Sequence, residues 1–125
     1  MNEQMTLLLS ILLNSNTQAQ AFHRQVTGPG SFSLHSALGT YYDEIIELVD
    51  TLTESYQGKY DIITDYKSFG LMNYVSKEQV LMYFEELCNQ VYTIRQSFTD
   101  TYIQNQIDQI EELLYQTKYR IKYLS

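Results

Sequence analysis

Phe22-His23-Arg24-Gln25-Val26-Thr27-Gly28-Pro29-Gly30-Ser31-Phe32-Ser33-Leu34-His35 decides how this chain folds, because one helix must stop and another start inside it. Proline carries no backbone N–H and the flanking glycines allow a sharp reversal, so Gly28-Pro29-Gly30 ends whatever helix precedes it. Upstream, Leu8, Leu12, Ala19, Phe22 and Val26 recur close to helical spacing, which predicts helix A from about residue 3 to residue 27. Downstream, Ser31 or Ser33 is placed to cap helix B, whose stripe is Leu34, Leu38, Tyr42, Ile45, Val49, Leu52 and Tyr56, ending near Gly58. The pair reads as a helical hairpin with a histidine on each arm beside the closed end.

Working outward, residues 59–75 contain Gly70 and no single period, and read as a crossover with a short helix around Ile62 to Tyr66. Ser76-Lys77-Glu78-Gln79 is a capping-box pattern, and Val75 and Val80 stand at the positions of a hydrophobic staple. Helix C follows to about Phe98, with Val80, Phe84, Leu87, Val91, Ile94 and Phe98 on its apolar side. Thr99 or Asp100 then caps helix D, whose stripe is Ile103, Ile107, Ile110, Leu114, Ile121 and Leu124. Two short corners and one long connection are the ferritin-like way to close a four-helix bundle. The expected fold is therefore all-α, a ferritin-like four-helix bundle with a long B to C crossover, with residues 1–125 as one domain.

Composition narrows the function. Eight Lys plus Arg against fifteen Asp plus Glu give a net charge of -7, so no general electrostatic grip on nucleic acid is expected. The run Leu7 to Leu13 is too short for a membrane span and lacks the basic start of a signal peptide, so no membrane association and a cytoplasmic location are expected. The lone Cys88 excludes an intrachain disulfide and, between Leu87 and Val91, reads as a small buried hydrophobe. No Gly-rich phosphate loop is present, since Gly28-Pro29-Gly30 joins two helices rather than a strand to a helix.

The candidate chemistry lies in His23, His35, Asp50 and Glu54. Asp50 and Glu54 are four apart on helix B and project from one face, a spacing that lets two side chains share a metal, although such pairs are more often a solvated face. Two imidazoles and two carboxylates suit iron, with zinc or manganese as alternatives. His35 and Asp50, however, are fifteen residues apart on one helix, which is ~22 Å along its axis. Side chains do not close that gap, so a shared site needs the histidines of one subunit and the carboxylates of another. A two-fold axis crossing antiparallel B helices near Tyr42 and Asp43 would build two such sites per dimer.

His23-Arg24-Gln25-Val26-Thr27-Gly28-Pro29, then Leu34-His35, then Leu48-Val49-Asp50-Thr51-Leu52-Thr53-Glu54 resembles the Dps mini-ferritins, whose two histidines, aspartate and glutamate bind iron at successive gaps of twelve, fifteen and four residues. The resemblance covers residues 20 to 56 and is architectural beyond them. It implies a ferroxidase that oxidises Fe(II) with hydrogen peroxide or dioxygen, and a dodecameric shell built from two-fold dimers that stores ferric iron. Catalytic and metal-binding roles would fall to His23, His35, Asp50 and Glu54. Arg24 stands where the family usually has Trp, Ser31 where many members have Phe, and Ser55 where an Arg is common. These departures keep a second reading open: a non-catalytic ferritin-like structural or partner-binding protein with a weakened metal site.

Tyr41, Tyr42 and Tyr56 are candidates for nearby phenols, though core packing is their commoner role. Dps proteins that condense DNA use mobile basic extensions, whereas this chain starts Met1-Asn2-Glu3-Gln4, so DNA binding is not expected. Lys118, Arg120 and Lys122 form a small basic cluster that complements the dipole at the end of helix D. The compact form resembles small Dps-like chains encoded by tailed phages, which would place it in the host cytoplasm.

Overall fold

A computed structural model describes residues 2–125. It is an all-α four-helix bundle: α1 (Asn2–Gln25), α2 (Ser31–Lys59), α3 (Lys77–Arg95) and α4 (Thr101–Tyr123), with no strand among the described residues. Leu8, Leu9, Leu12, Ala19 and Phe22 of α1 meet Leu38, Tyr41, Ile45 and Leu52 of α2, Phe84 and Val91 of α3, and Ile103, Ile107, Ile110 and Leu114 of α4 in one buried core. The apolar stripes read from the sequence are the faces that pack, which removes them from water at roughly 25 cal/mol per Å². The stripes err at Leu124, which is exposed, at Val26, which is half-buried, and within α2, where Tyr41 is the buried tyrosine and Tyr42 is half-buried.

Helix starts differ from the expected caps. Gly30, not Ser31 or Ser33, is the N-cap of α2; it sits in the left-handed region at φ 78°, and no side chain caps that end. A glycine takes this conformation without a Cβ penalty. At α3, Ser76 Oγ accepts from Gln79 N–H at 3.1 Å as the capping box requires, but Gln79 Oε1 reaches one residue further back, to Val75 N–H at 2.7 Å. Val75 is left 77% exposed, so the expected staple with Val80 does not form. Asp100 is the N-cap of α4 without capping it: its carboxylate takes the Tyr60 hydroxyl and pairs with Lys59 Nζ at 3.3 Å, which ties the end of α2 to the start of α4.

Residues 60–76 hold no helix, so the short helix expected around Ile62 to Tyr66 is absent. The segment is an extended strap laid along α1. Ser10 Oγ accepts from Lys67 N–H, Asn14 Nδ2 donates to Phe69 O and Gly70 O, and Gln18 exchanges two bonds with Met72 N–H and O. Near its end, Gln25 Oε1 accepts from Tyr74 N–H. Polar α1 side chains thus satisfy strap backbone groups that a local helix would have satisfied itself. Helix boundaries shift with this geometry: α1 stops at Gln25, and α3 at Arg95, with Phe98 still buried beyond it.

Candidate metal centre

The α1–α2 turn brings His23, in the last turn of α1, onto His35, in the second turn of α2. Their rings stack with centroids 3.6 Å apart and planes 19° apart. His23 Nδ1 lies 2.7 Å from the His35 carbonyl oxygen, and His35 Nδ1 lies 2.8 Å from the His23 carbonyl oxygen. A carbonyl oxygen only accepts, so each Nδ1 carries a proton and donates it. In the neutral rings the lone pair is then on Nε2, the arrangement in which a metal-binding histidine is held by its other nitrogen. The His23 carbonyl belongs to the last turn of α1 and lacks an onward helical partner, so the imidazole of His35 also caps that helix.

Two further residues shape the pair. Gly39, one turn beyond His35, lies against the His23 ring: a Cβ there would sit 3.2 Å from His23 Cε1 and 3.4 Å from Nδ1. Tyr42 meets the same ring edge-on, with centroids 5.2 Å apart. The Tyr42 backbone is pinned by Asn16 Nδ2, which donates to its carbonyl at 2.7 Å, and Asn16 is in turn held by Gln20. Tyr42 is among the candidate phenols of the sequence, whereas Gly39 is not among its candidate residues. Its signal was a glycine within a helix, one turn from a histidine.

Asp50 and Glu54 are exposed on the same α2, which runs unbroken from Ser31 to Lys59. Fifteen residues of continuous helix separate Asp50 from His35, ~22 Å along the axis. The fold therefore joins the two histidines and leaves both carboxylates at a distance. Among the described residues of one chain, no group of three or more His, Cys, Asp or Glu is placed to hold a metal ion.

The other candidates take structural places. Tyr41 is fully buried and donates to Ser15 Oγ at 2.7 Å, since Ser15 spends its own proton on the Leu12 carbonyl. Burial pushes the Tyr41 hydroxyl far above the usual tyrosine range. Tyr56 is buried and donates to Asn2 Oδ1. Cys88 is buried, and desolvation raises its thiol, which leaves it unreactive. Lys118 and Lys122 lie over the rings of Tyr115 and Tyr123, each 5.6 Å from the centroid.

Residues 29–121 match a family described as a family of unknown function, DUF5856. The chain belongs to the DUF5856 family. The DUF5856 match takes in His35, Gly39, Asp50 and Glu54 and begins after His23, so the first arm of the histidine pair lies outside it. No curated protein and no solved structure matches the chain. Among the described residues no helix is long and apolar enough to cross a membrane.

Proposed function

We propose that this DUF5856 chain is a Dps-like mini-ferritin, which oxidises Fe(II) at a site shared between two copies and stores the ferric product inside an oligomeric shell. The observation that carries this reading is the His23–His35 pair, with both Nδ1 atoms committed to carbonyls and both Nε2 lone pairs left over. Support comes also from the strap: it follows α1 from the level of Ser10 to that of Gln25 and delivers the chain to α3 beside the end of α1. Gln106 beside Ser55 and Ser97 beside Gln4 then fix α4 against α2 and return α3 to the start of α1. Helices α2 and α3 run in the same sense, as in a ferritin-like bundle with one long crossover.

Iron is the substrate, giving up an electron to hydrogen peroxide or dioxygen. His23 and His35 hold it through neutral Nε2 donors, and Asp50 and Glu54 of a second copy supply the negative charge that balances it. Antiparallel α2 helices crossing near Tyr42 and Asp43 superpose the two half-sites and build two complete sites per dimer. The dodecamer is the assembly such dimers form in this reading, and the -7 charge of each chain favours entry of cations and disfavours duplex DNA.

Mixing single variants tests the shared site. His35→Ala and Asp50→Ala homo-oligomers are each expected to lose Fe(II) oxidation. When the two are unfolded, mixed equally and refolded, a mixed dimer recovers one intact site of its two. About half the dimers are mixed, so about a quarter of wild-type activity should return. No recovery would overturn the shared site. Wild-type activity in either single variant would overturn the ligand assignment, and a wild type that does not oxidise Fe(II) would favour a structural or partner-binding role.

A further inference from the structure

A second site is built on the opposite partner of α2. A cavity of about 300 Å³ lies between the start of α2 and the end of α4, lined by Ser33, Ser36 and Thr40 on one wall and Arg120 and Leu124 on the other, with Phe32 at its rim. The register of the two helices explains why they meet. Gln106 Nε2 donates to Ser55 Oγ, and fourteen residues onward in α4 and fourteen back in α2 put Arg120 level with Tyr41. The pairing is thus fixed by the antiparallel packing of the bundle and does not depend on a loop.

Arg120 is the unusual member. Its Nη1 is buried and has no hydrogen-bond partner, and the ion pairs among the described residues, Lys59–Asp100 and Arg95–Asp108, do not involve it. That nitrogen is shielded from the cavity, whereas the other nitrogens of the guanidinium are not, and among the described residues its charge has no ion-pair partner. Water satisfies the accessible N–H groups and leaves the charge. The walls offer no carboxylate: in a chain with fifteen Asp plus Glu, none lines this cavity. What they offer is three hydroxyls in a row on α2, at spacings of three and four that put them on one face.

We infer that this cavity binds a phosphate group, free or esterified. The side of the guanidinium that carries Nε and Nη2 supplies charge-assisted donors to two oxygens. The hydroxyls of Thr40, level with Arg120, and Ser36, one turn further toward the start of α2, donate to the remainder. The row from Ser33 to Thr40 extends ~10 Å along α2, longer than one phosphate, and leaves room for the organic part of a small ester. This site uses none of His23, His35, Asp50 or Glu54, and it stands whether or not the ferroxidase reading does.

Calorimetric titration of the full chain with inorganic phosphate, and separately with glycerol 3-phosphate, tests it at constant ionic strength. Saturable binding is expected, weakened about tenfold or more in Arg120→Gln and less in Thr40→Val. Thermal melting followed by circular dichroism checks that both variants remain folded. Tighter binding of glycerol 3-phosphate than of phosphate assigns the cavity to an ester, and the reverse order to the free ion. Absence of saturable binding by either, or equal affinity in wild type and Arg120→Gln, overturns the inference. So does a loss of oligomer mass in Arg120→Gln without any phosphate binding, which would give Arg120 a carboxylate partner on a second copy.

Discussion

Gly39 illustrates how one residue shapes a pair of side chains by what it lacks. In a helix interior glycine is less favourable than alanine by about 1 kcal/mol, so its presence needs a reason. The reason is the His23 ring, whose Cε1 lies 3.2 Å from where a Cβ would stand and which is stacked against His35. The ring has little freedom to retreat, because His23 Nδ1 is anchored to the His35 carbonyl. Gly39→Ala should therefore leave stability within about 1 kcal/mol of wild type, the gain in helix propensity offsetting the crowding. It should slow Fe(II) oxidation about tenfold or more by moving Nε2 off its line. Thermal melts and initial rates check the two parts. The nitrogen chemical shifts of the imidazoles report the tautomer directly: wild type should show Nδ1–H on both rings, and Gly39→Ala should not hold it on His23. A variant with unchanged shifts and rates would make the glycine irrelevant to the pair.

At the scale of elements, the clasp between α2 and α4 carries a pH dependence with a worked-out sign. The Tyr60 hydroxyl, then Lys59, hold the Asp100 carboxyl below its ordinary value, while the bond to Asp100 raises both Tyr60 and Lys59. A depressed aspartate stabilises the fold above its unfolded value near 4 and loses that contribution as pH falls through the lower folded value. A raised tyrosine or lysine contributes fully below its unfolded value near 10 and fades as pH climbs through the higher folded one. The clasp is thus at full strength between the two. Asp100→Asn should lower the melting temperature at neutral pH and close much of the gap to wild type in acid; parallel melting curves across pH would contradict it. This clasp also shows where sequence reading stopped. The four apolar stripes, the Gly28-Pro29-Gly30 reversal and the Ser76 cap were legible because each depends on residues within one helical turn. Asp100 was read as a local cap, yet its carboxylate is spent on residues forty positions away, which no local pattern records. The strap was misread for the same reason: Ser10, Asn14 and Gln18 hold it from positions more than fifty residues upstream. In the candidate site, the meeting of His23 and His35 at the closed end of the hairpin was legible, and so was their separation from Asp50 and Glu54, since fifteen helical residues fix a distance. The reciprocal bonds between the histidines were not, because they depend on how tightly the hairpin closes.

For the whole molecule, light scattering after size exclusion, with iron counted per subunit after anaerobic loading and oxidation, is the measurement that joins site to assembly. A particle near twelve subunits that retains ferric iron is expected, and the Asp50→Ala, Glu54→Ala variant should lose most of that iron. A monomer or dimer that takes up none would leave the bundle as it is and remove the storage role. The strap bears on how such a molecule comes to exist at all. Each helical pair, α1 with α2 and α3 with α4, is joined by a short turn and gathers its contacts locally, the kind of arrangement that forms fast. The strap buries Ile63, leaves Ile62, Leu71 and Val75 more than half exposed, and is pinned by side-chain hydrogen bonds across the surface of α1. It is therefore a tether that sets the effective concentration of one hairpin about the other, and its seating along α1 is expected to follow the docking of the hairpins. Until that happens, Ile63, which seating buries, travels exposed on a half-assembled chain, and the interval before seating is when wrong partners are most able to find it.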